Sequence, residues 1–327
     1  MKRLVLVVGV GRSGTSLLAG VLGQLGFHIP QPEVTADETN PKGFGEPRWV
    51  VDFHTRLMHR LRVIVFDARP VAFEKTAAVT EDSGTGDELK AWLAGELARS
   101  DSVVVKDPRV GWFLGLWQRC CDQLDARTSQ ITMLRHPAEI LTSARKSYGT
   151  WQTDASRAAA WLNVMLETER ATRASARAYI RYEDLLSDWK AEVGRVGRAL
   201  DLPLLTDIAP ERAAAVDAFV DPSLHRNRVG WDELEVPEPV RELCERVWGL
   251  FLALAGPEVT PDYSYAQLDK ALVEYRRLYG DAEAITQPSV TAVRPRKKQA
   301  PPPTLRVRIA RRIPKPVRSR LRRLAGR

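Results

Sequence analysis

Short apolar runs alternate with longer amphipathic stretches through the first 180 or so positions of the chain. Leu4–Val8, Ser102–Val105, Ile131–Leu134 and Ala178–Ile180 are rich in branched apolar residues without a polar alternate, the pattern of strands buried on both faces. Arg62–Phe66 is a weaker strand candidate. Between these runs the apolar period changes to that of helices. Thr15–Leu25 gathers Leu17, Leu18, Val21, Leu22 and Leu25 on one side, and Glu88–Arg99, Val110–Gln123, Ala138–Tyr148 and Ser156–Ala176 follow the same rule. Strand–helix alternation of this kind predicts an α/β fold, a doubly wound parallel sheet flanked by helices. After Tyr182 the pattern is almost wholly helical, as in Pro239–Ala255 and Tyr265–Tyr279, and no internal repeat is visible.

The opening Met1-Lys2-Arg3 followed by Leu4–Val8 has the look of a secretory signal, but Arg12 interrupts the apolar run early and a glycine loop follows. A first buried strand is the better reading. No run of 18 apolar residues marks a membrane-spanning helix.

Past about residue 285 the composition changes. Residues 286–327 hold seven prolines, 14 Lys and Arg, and no Asp or Glu. The chain's net charge of +8 therefore becomes −6 for residues 1–285 once the 14 positive charges of the tail are set aside. An acidic body argues against a nucleic-acid-binding domain, whose positive charge would line a face or groove. The expected organisation is a folded domain over 1–285 and a Pro-rich basic appendage over 286–327, whose prolines break any long helix. Three cysteines, Cys120, Cys121 and Cys244, lack both disulfide density and zinc spacing and suit a reducing cytoplasm.

The chemistry begins at Gly9-Val10-Gly11-Arg12-Ser13-Gly14-Thr15-Ser16, between the first strand and the first helix. Such a P-loop-like turn lets backbone N–H groups and the helix N-terminus approach an anion. The nucleoside-triphosphatase pattern G-x-x-x-x-G-K-[ST] fails at one position, where Thr15 stands in place of Lys. The cation lies inside the loop instead, as Arg12, which favours a smaller anionic group than an ATP γ-phosphate. A second anion site is suggested at Ile131–Pro137, where Arg135 ends a buried strand and Ser143 follows on the next helix. Carboxyl ends of parallel strands are where ligands bind, and a guanidinium with a hydroxyl suits a phosphate monoester.

Together these segments resemble the sulfotransferases that use 3′-phosphoadenosine 5′-phosphosulfate (PAPS), in particular the branch whose loop reads P-R-S-G-T-[ST]. Arg12-Ser13-Gly14-Thr15-Ser16 matches closely, with Gly11 in place of the usual proline. The resemblance implies that Gly11, Arg12, Ser13, Gly14, Thr15 and Ser16 wrap the 5′-phosphosulfate and that Arg135 and Ser143 hold the 3′-phosphate. It also implies in-line transfer of a sulfonyl group to an acceptor hydroxyl without a metal. In Asn40-Pro41-Lys42-Gly43-Phe44-Gly45-Glu46, similar to an N-P-x-G-[FYW]-x-E loop of many bacterial members, Glu46 takes the role of base. Asp52 and His54 are alternatives on the following turns. In Val105-Lys106-Asp107-Pro108-Arg109, Lys106 takes the role of cation to the bridging oxygen, Arg109 being a further contact to donor or acceptor. Tyr182 and Glu183, in an R-Y-E-D-L element, read as anchors of a helix start, and His225, Arg226 and Arg228 lie in a polar loop where the family closes over the donor.

In the tail, Leu305, Val307, Ile309, Ile313, Val317, Leu321 and Leu324 are interleaved with arginines in two short amphipathic pieces. These suit the anionic inner face of a membrane, at about 1 kcal/mol per basic residue, and with it a glycan or glycolipid acceptor. Two other readings stand beside this one. A P-loop small-molecule kinase would need a lysine at position 15 and a metal-holding acid. A non-catalytic module binding PAPS or its product would be expected to lose one of Arg12, Glu46 and Lys106.

Overall fold

A computed structural model of the chain describes residues 1–37, 40, 42–221, 230–256 and 261–293. Four parallel strands, β1 (Arg3–Val8), β2 (Ser102–Lys106), β3 (Arg127–Leu134) and β4 (Ala176–Arg181), form one sheet in the order β2-β1-β3-β4. Helices α1 (Thr15–Gln24), α2 (Arg48–Leu61), α3 (Val71–Ala77) and α4 (Ser83–Arg99) lie between β1 and β2 in sequence. Next come α5 (Leu114–Asp122), α6 (Pro137–Tyr148) and α7 (Asp154–Thr172), then α8 (Tyr182–Ser187), α9 (Trp189–Ala199), α10 (Pro210–Phe219), α11 (Glu238–Ala255) and α12 (Pro261–Val293). The expected α/β architecture is present.

Alternate residues of β1 explain the layering. Leu4, Leu6 and Val8 pack with α2, α4, α5, α7, α11 and α12 on one face, while Val5 and Val7 pack with α1, α8, α9 and α10 on the other. All five are essentially inaccessible to water, and burying each such side chain contributes roughly 1.5–3 kcal/mol. Both faces demand apolar residues, so the strand reads as an unbroken apolar run.

The chain leaves β1 toward β2 on one side and leaves β3 toward β4 on the other. The reversal opens a crevice between the carboxyl ends of β1 and β3, the position where doubly wound sheets bind ligands.

Some sequence expectations are corrected. β3 starts at Arg127 because Thr128, Ser129 and Gln130 are buried in the sheet, although their polar side chains look like a loop. The helix expected over Ser156–Ala176 stops at Thr172, and Ala176 already belongs to β4. Arg62–Phe66 is not a strand. Arg62 sits at φ 55° as the left-handed cap of α2, and the Asp67 carboxylate then accepts the Ile64 and Arg69 N–H groups at 3.2 and 2.9 Å to close a turn.

Contacts divide the chain into a compact unit, Met1–Asp281, and a second, Ala282–Arg327, of which residues to 293 are described. α12 runs through residue 285 and contains Pro288, so that proline does not end the helix. Its missing N–H and its clash with the preceding turn fall on an exposed stretch, where water can take the freed carbonyl. The amphipathic tail segments and His225, Arg226 and Arg228 lie outside the described residues.

Candidate active site

The loop after β1 adopts a conformation that only part of its sequence favours. Arg12 is held at φ 74° and Gly14 at φ 98°. A non-glycine residue in the left-handed region is uncommon, and strain of this kind collects at functional sites. Gly14 has a second requirement, because a Cβ there would sit 2.3 Å from the Tyr182 ring. α1 starts directly after it, with no acidic residue in its first turn to compete for an anion.

Arg135 follows β3 at the other lip of the crevice. Its Nε donates to Glu139 Oε2 at 2.8 Å, its Nη1 donates to the Arg12 carbonyl at 3.2 Å, and its guanidinium lies 4.6 Å over the Tyr182 ring. Its Nη2 is buried without a hydrogen-bond partner among the described residues, as is Ser13 Oγ. Leaving such donors unmade costs about 1–3 kcal/mol each, more for a charged group, so both fit a site completed by an anionic ligand. Arg12 Nε donates to Ser143 Oγ at 3.0 Å, which joins the two lips.

Glu46 comes from the loop before α2. Gly45 lets that loop cross α1, with its would-be Cβ 2.8 Å from the Ala19 Cβ. The crossing puts Glu46 against Lys106 at the end of β2. The two side chains form a buried ion pair, and Lys106 Nζ also donates to Ser16 Oγ at 3.1 Å. Burial pushes the Glu46 carboxyl above its ordinary range despite the pull of Lys106. Burial likewise draws the Lys106 ammonium below the ordinary lysine range, against the opposing pull of Glu46. Acid and base are thus brought toward one another in proton affinity, a pattern of acid–base sites.

Asp107 supports this pair from behind. Its Oδ2 accepts from His54 Nδ1 at 2.8 Å, and Trp117 Nε1 donates to His54 Nε2 at 3.0 Å. The indole can only donate, so Nε2 is the acceptor and Nδ1 carries the proton toward Asp107. Burial raises the Asp107 carboxyl, yet the His54 hydrogen bond and Arg109 bring it below its ordinary value. Arg109 Nη1 is spent on Asp107 Oδ1 at 2.7 Å. Of the alternatives to Glu46, His54 is fully buried in this network and Asp52 is exposed on the opposite side of α2. Neither shares the Glu46–Lys106 pocket.

The structure therefore brings together Arg12, Ser13, Gly14, Ser16, Glu46, Lys106, Arg135 and Ser143. Sequence reasoning missed the part of Tyr182, read as a helix anchor: it does open α8, and its ring also carries Gly14 and Arg135. It also missed Glu139 and the His54–Trp117 support. The i,i+4 spacing of Arg135 and Glu139 was the one readable signal. Among the described residues no cluster of His, Cys, Asp and Glu could hold a metal ion, and no helix is long and apolar enough to cross a membrane.

A model of the sulfotransferase family matches residues 5–207, which include both lips of the crevice, Glu46 and Lys106. The chain belongs to the sulfotransferase family. Solved structures to which this sulfotransferase is similar include the sulfotransferase domain of the Synechococcus PCC 7002 olefin synthase, 17% identical over 77% of this chain and 96% of that one, at a TM-score of 0.43. The sulfotransferase domain from the curacin biosynthetic pathway is 15% identical over 79% of this chain and 99% of that one, at 0.43. Sulfotransferase STF1 from Mycobacterium tuberculosis H37Rv is 18% identical over 66% and 71%, at 0.37. No curated protein matches the chain significantly.

Proposed function

We propose that this sulfotransferase moves the sulfonyl group of PAPS onto the hydroxyl of a glycan or glycolipid, with Glu46 as base and Arg12 and Lys106 stabilising the group in transit. The observation that carries the reading is the buried Glu46–Lys106 pair beside Ser16 of the phosphate loop. Residues 11–16 would hold the 5′-phosphosulfate, and Arg135 with Ser143 the 3′-phosphate. The unpartnered Ser13 Oγ and Arg135 Nη2 support that assignment, because a donor with two anionic ends would satisfy both.

The donor supplies a sulfonyl group on a good leaving group. Glu46 takes the proton of the acceptor hydroxyl as its oxygen bonds to sulfur. The bond from sulfur to the bridging oxygen breaks, and that oxygen keeps the electron pair beside the Lys106 ammonium. Preorganised cations placed where charge develops contribute about 10²–10³ in rate, and a general base about 10²–10⁴.

A polar cavity of about 450 Å³ adjoins Ser16 and Gly45, walled in part by Gln24, His28, Gln31 and Lys42, and such hydrogen-bonding walls suit a polyhydroxylated acceptor. The basic tail supports peripheral attachment to an anionic membrane surface. Incubation with radiolabelled PAPS and pooled glycans and glycolipids tests the reaction. Label should pass to the pool with wild type and fall about 10²–10⁴-fold with Glu46→Gln. Equal transfer by both would remove Glu46 from the mechanism.

A further inference from the structure

One buried carboxylate serves neither the core nor the proposed transfer. Asp107 is 1% exposed, yet the adjacent Lys106 pairs with Glu46 instead. Asp107 Oδ1 accepts the Arg109 backbone N–H at 3.0 Å and Arg109 Nη1 at 2.7 Å, while its Oδ2 accepts from His54 Nδ1 at 2.8 Å. Burying an anion is costly unless it is hydrogen-bonded, and here its hydrogen bonds fix one guanidinium.

Arg109 is held differently from the structural arginines of this chain. Arg69 gives Asp67 both Nε and Nη2, at 2.9 and 2.5 Å, and Arg173 gives Glu169 the same two nitrogens, at 2.9 and 2.7 Å. Two-point pairs of that kind use up one edge of the guanidinium fork. Beside Arg109 the second carboxylate oxygen already belongs to His54, itself fixed by the Trp117 indole at 3.0 Å. The side chain is therefore held through Nη1 alone. Its Nε and Nη2 make no hydrogen bond among the described residues, and it is 22% exposed.

These open donors lie beside the reacting groups. Arg109 is three residues beyond Lys106, and the intervening Pro108 comes within 3.9 Å of the position of a Gly11 Cβ in the phosphate loop. The Arg109 charge is felt by both Glu46 and Lys106. The two anionic ends of the donor have their own cations in Arg12 and Arg135, which leaves Arg109 for a third anion.

Resting on the sulfotransferase reading, we infer that Arg109 determines specificity by binding an anionic group, a carboxylate or a phosphate, on the acceptor near the hydroxyl to be sulfated. His54 is the positioning residue that keeps the guanidinium open for it. The Nε–Nη2 edge presents two parallel N–H groups that match such an anion in two-point geometry. The contact also offsets the repulsion that an acidic acceptor meets from the negative charges of the donor. A neutral hydroxyl compound gains neither.

The test is PAPS-dependent sulfation of methyl glucoside, methyl glucuronide and methyl glucoside 6-phosphate by the full chain, with 3′-phosphoadenosine 5′-phosphate (PAP) titrated in parallel. Wild type should show a KM about 10- to 100-fold lower for at least one acidic sugar than for the neutral one, the two acidic arms telling carboxylate from phosphate. Arg109→Gln should abolish that ratio while PAP affinity, which reports that the variant is folded, stays unchanged. His54→Leu should abolish it too, although Arg109 is intact, because Asp107 Oδ2 is then free to take the guanidinium in two-point geometry. His54→Asn, whose amide N–H replaces Nδ1, should keep the ratio. An acidic sugar used no better than the neutral one, or a ratio that survives Arg109→Gln or His54→Leu, would overturn the inference. Equal losses on all three sugars would also overturn it, by moving Arg109 onto the transferring group. So would a wild type that binds PAP but sulfates none of them. A wild type that does not bind PAP would instead overturn the donor reading on which the inference rests.

Discussion

Replacing Lys106 by Met isolates what the buried pair does. Lys106 is 3% exposed and Glu46 8%, and at an effective dielectric constant near 20 two unit charges about 4 Å apart attract by about 4 kcal/mol. Removing one member of such a pair typically costs about 3–5 kcal/mol of stability, because the other charge stays buried alone. Here Glu46 can discharge by taking up a proton, toward which burial already pushes it, so a loss near the lower end, about 3 kcal/mol, is expected. Turnover should fall further than stability alone suggests. The cation beside the leaving oxygen is gone, worth about 10²–10³, and the proposed base loses the partner that opposed the upward push of burial on its carboxyl. The acid limb of the rate profile should therefore move to higher pH. In the double variant Glu46→Gln, Lys106→Met no buried charge is stranded, so stability should recover while turnover does not. Urea unfolding and PAP release from PAPS measure the two quantities on the same samples. A single variant with turnover within about threefold of wild type, or a double variant no more stable than the single, would refute the reasoning.

Two further outcomes follow from the site's geometry and a third from the composition of the tail. In wild type the rate should be bell-shaped in pH. It rises as Glu46 loses its proton, above the ordinary carboxylate range, and falls as Lys106 loses its own, below the ordinary lysine range; kcat/KM against pH checks both limbs. Gly14→Ala forces a Cβ onto the Tyr182 ring in a left-handed conformation and should weaken PAP binding at least about tenfold by calorimetry, together with a loss of about 1–3 kcal/mol in stability. The full chain should sediment with anionic liposomes and a chain ending near residue 293 should not, and equal partitioning would remove the tail from membrane attachment.

Much of this site was legible in the sequence because its parts are backbone-driven. A glycine loop after an apolar run, and an arginine closing another, are features of the local chain, and the fold brings them to one crevice by strand order alone. Lys106 was legible only in part: a lysine ending a run of buried valines needs an anion, but the adjacent Asp107 that the sequence offers is taken by His54 and Arg109, and Glu46 is the partner instead. Polar residues inside the core were the opposite case. Thr128, Ser129 and Gln130 hid the first half of β3, and the Asp107–His54–Trp117 support joins residues 53 and 63 positions apart through contacts that no periodicity encodes. Tyr182 was half legible: its place at a helix start is local, whereas its contact with Gly14 is set by the packing of β4 beside β3.

Calorimetric titration of PAP, with ATP and ADP as competitors, against wild type and an Arg135→Ala, Ser143→Ala variant tests the donor assignment most directly. The account predicts tight binding by wild type, little binding by the variant, and no effective competition by ATP, which lacks the 3′-phosphate. Binding that survives in the variant, or a preference for ATP with Mg²⁺, would contradict it.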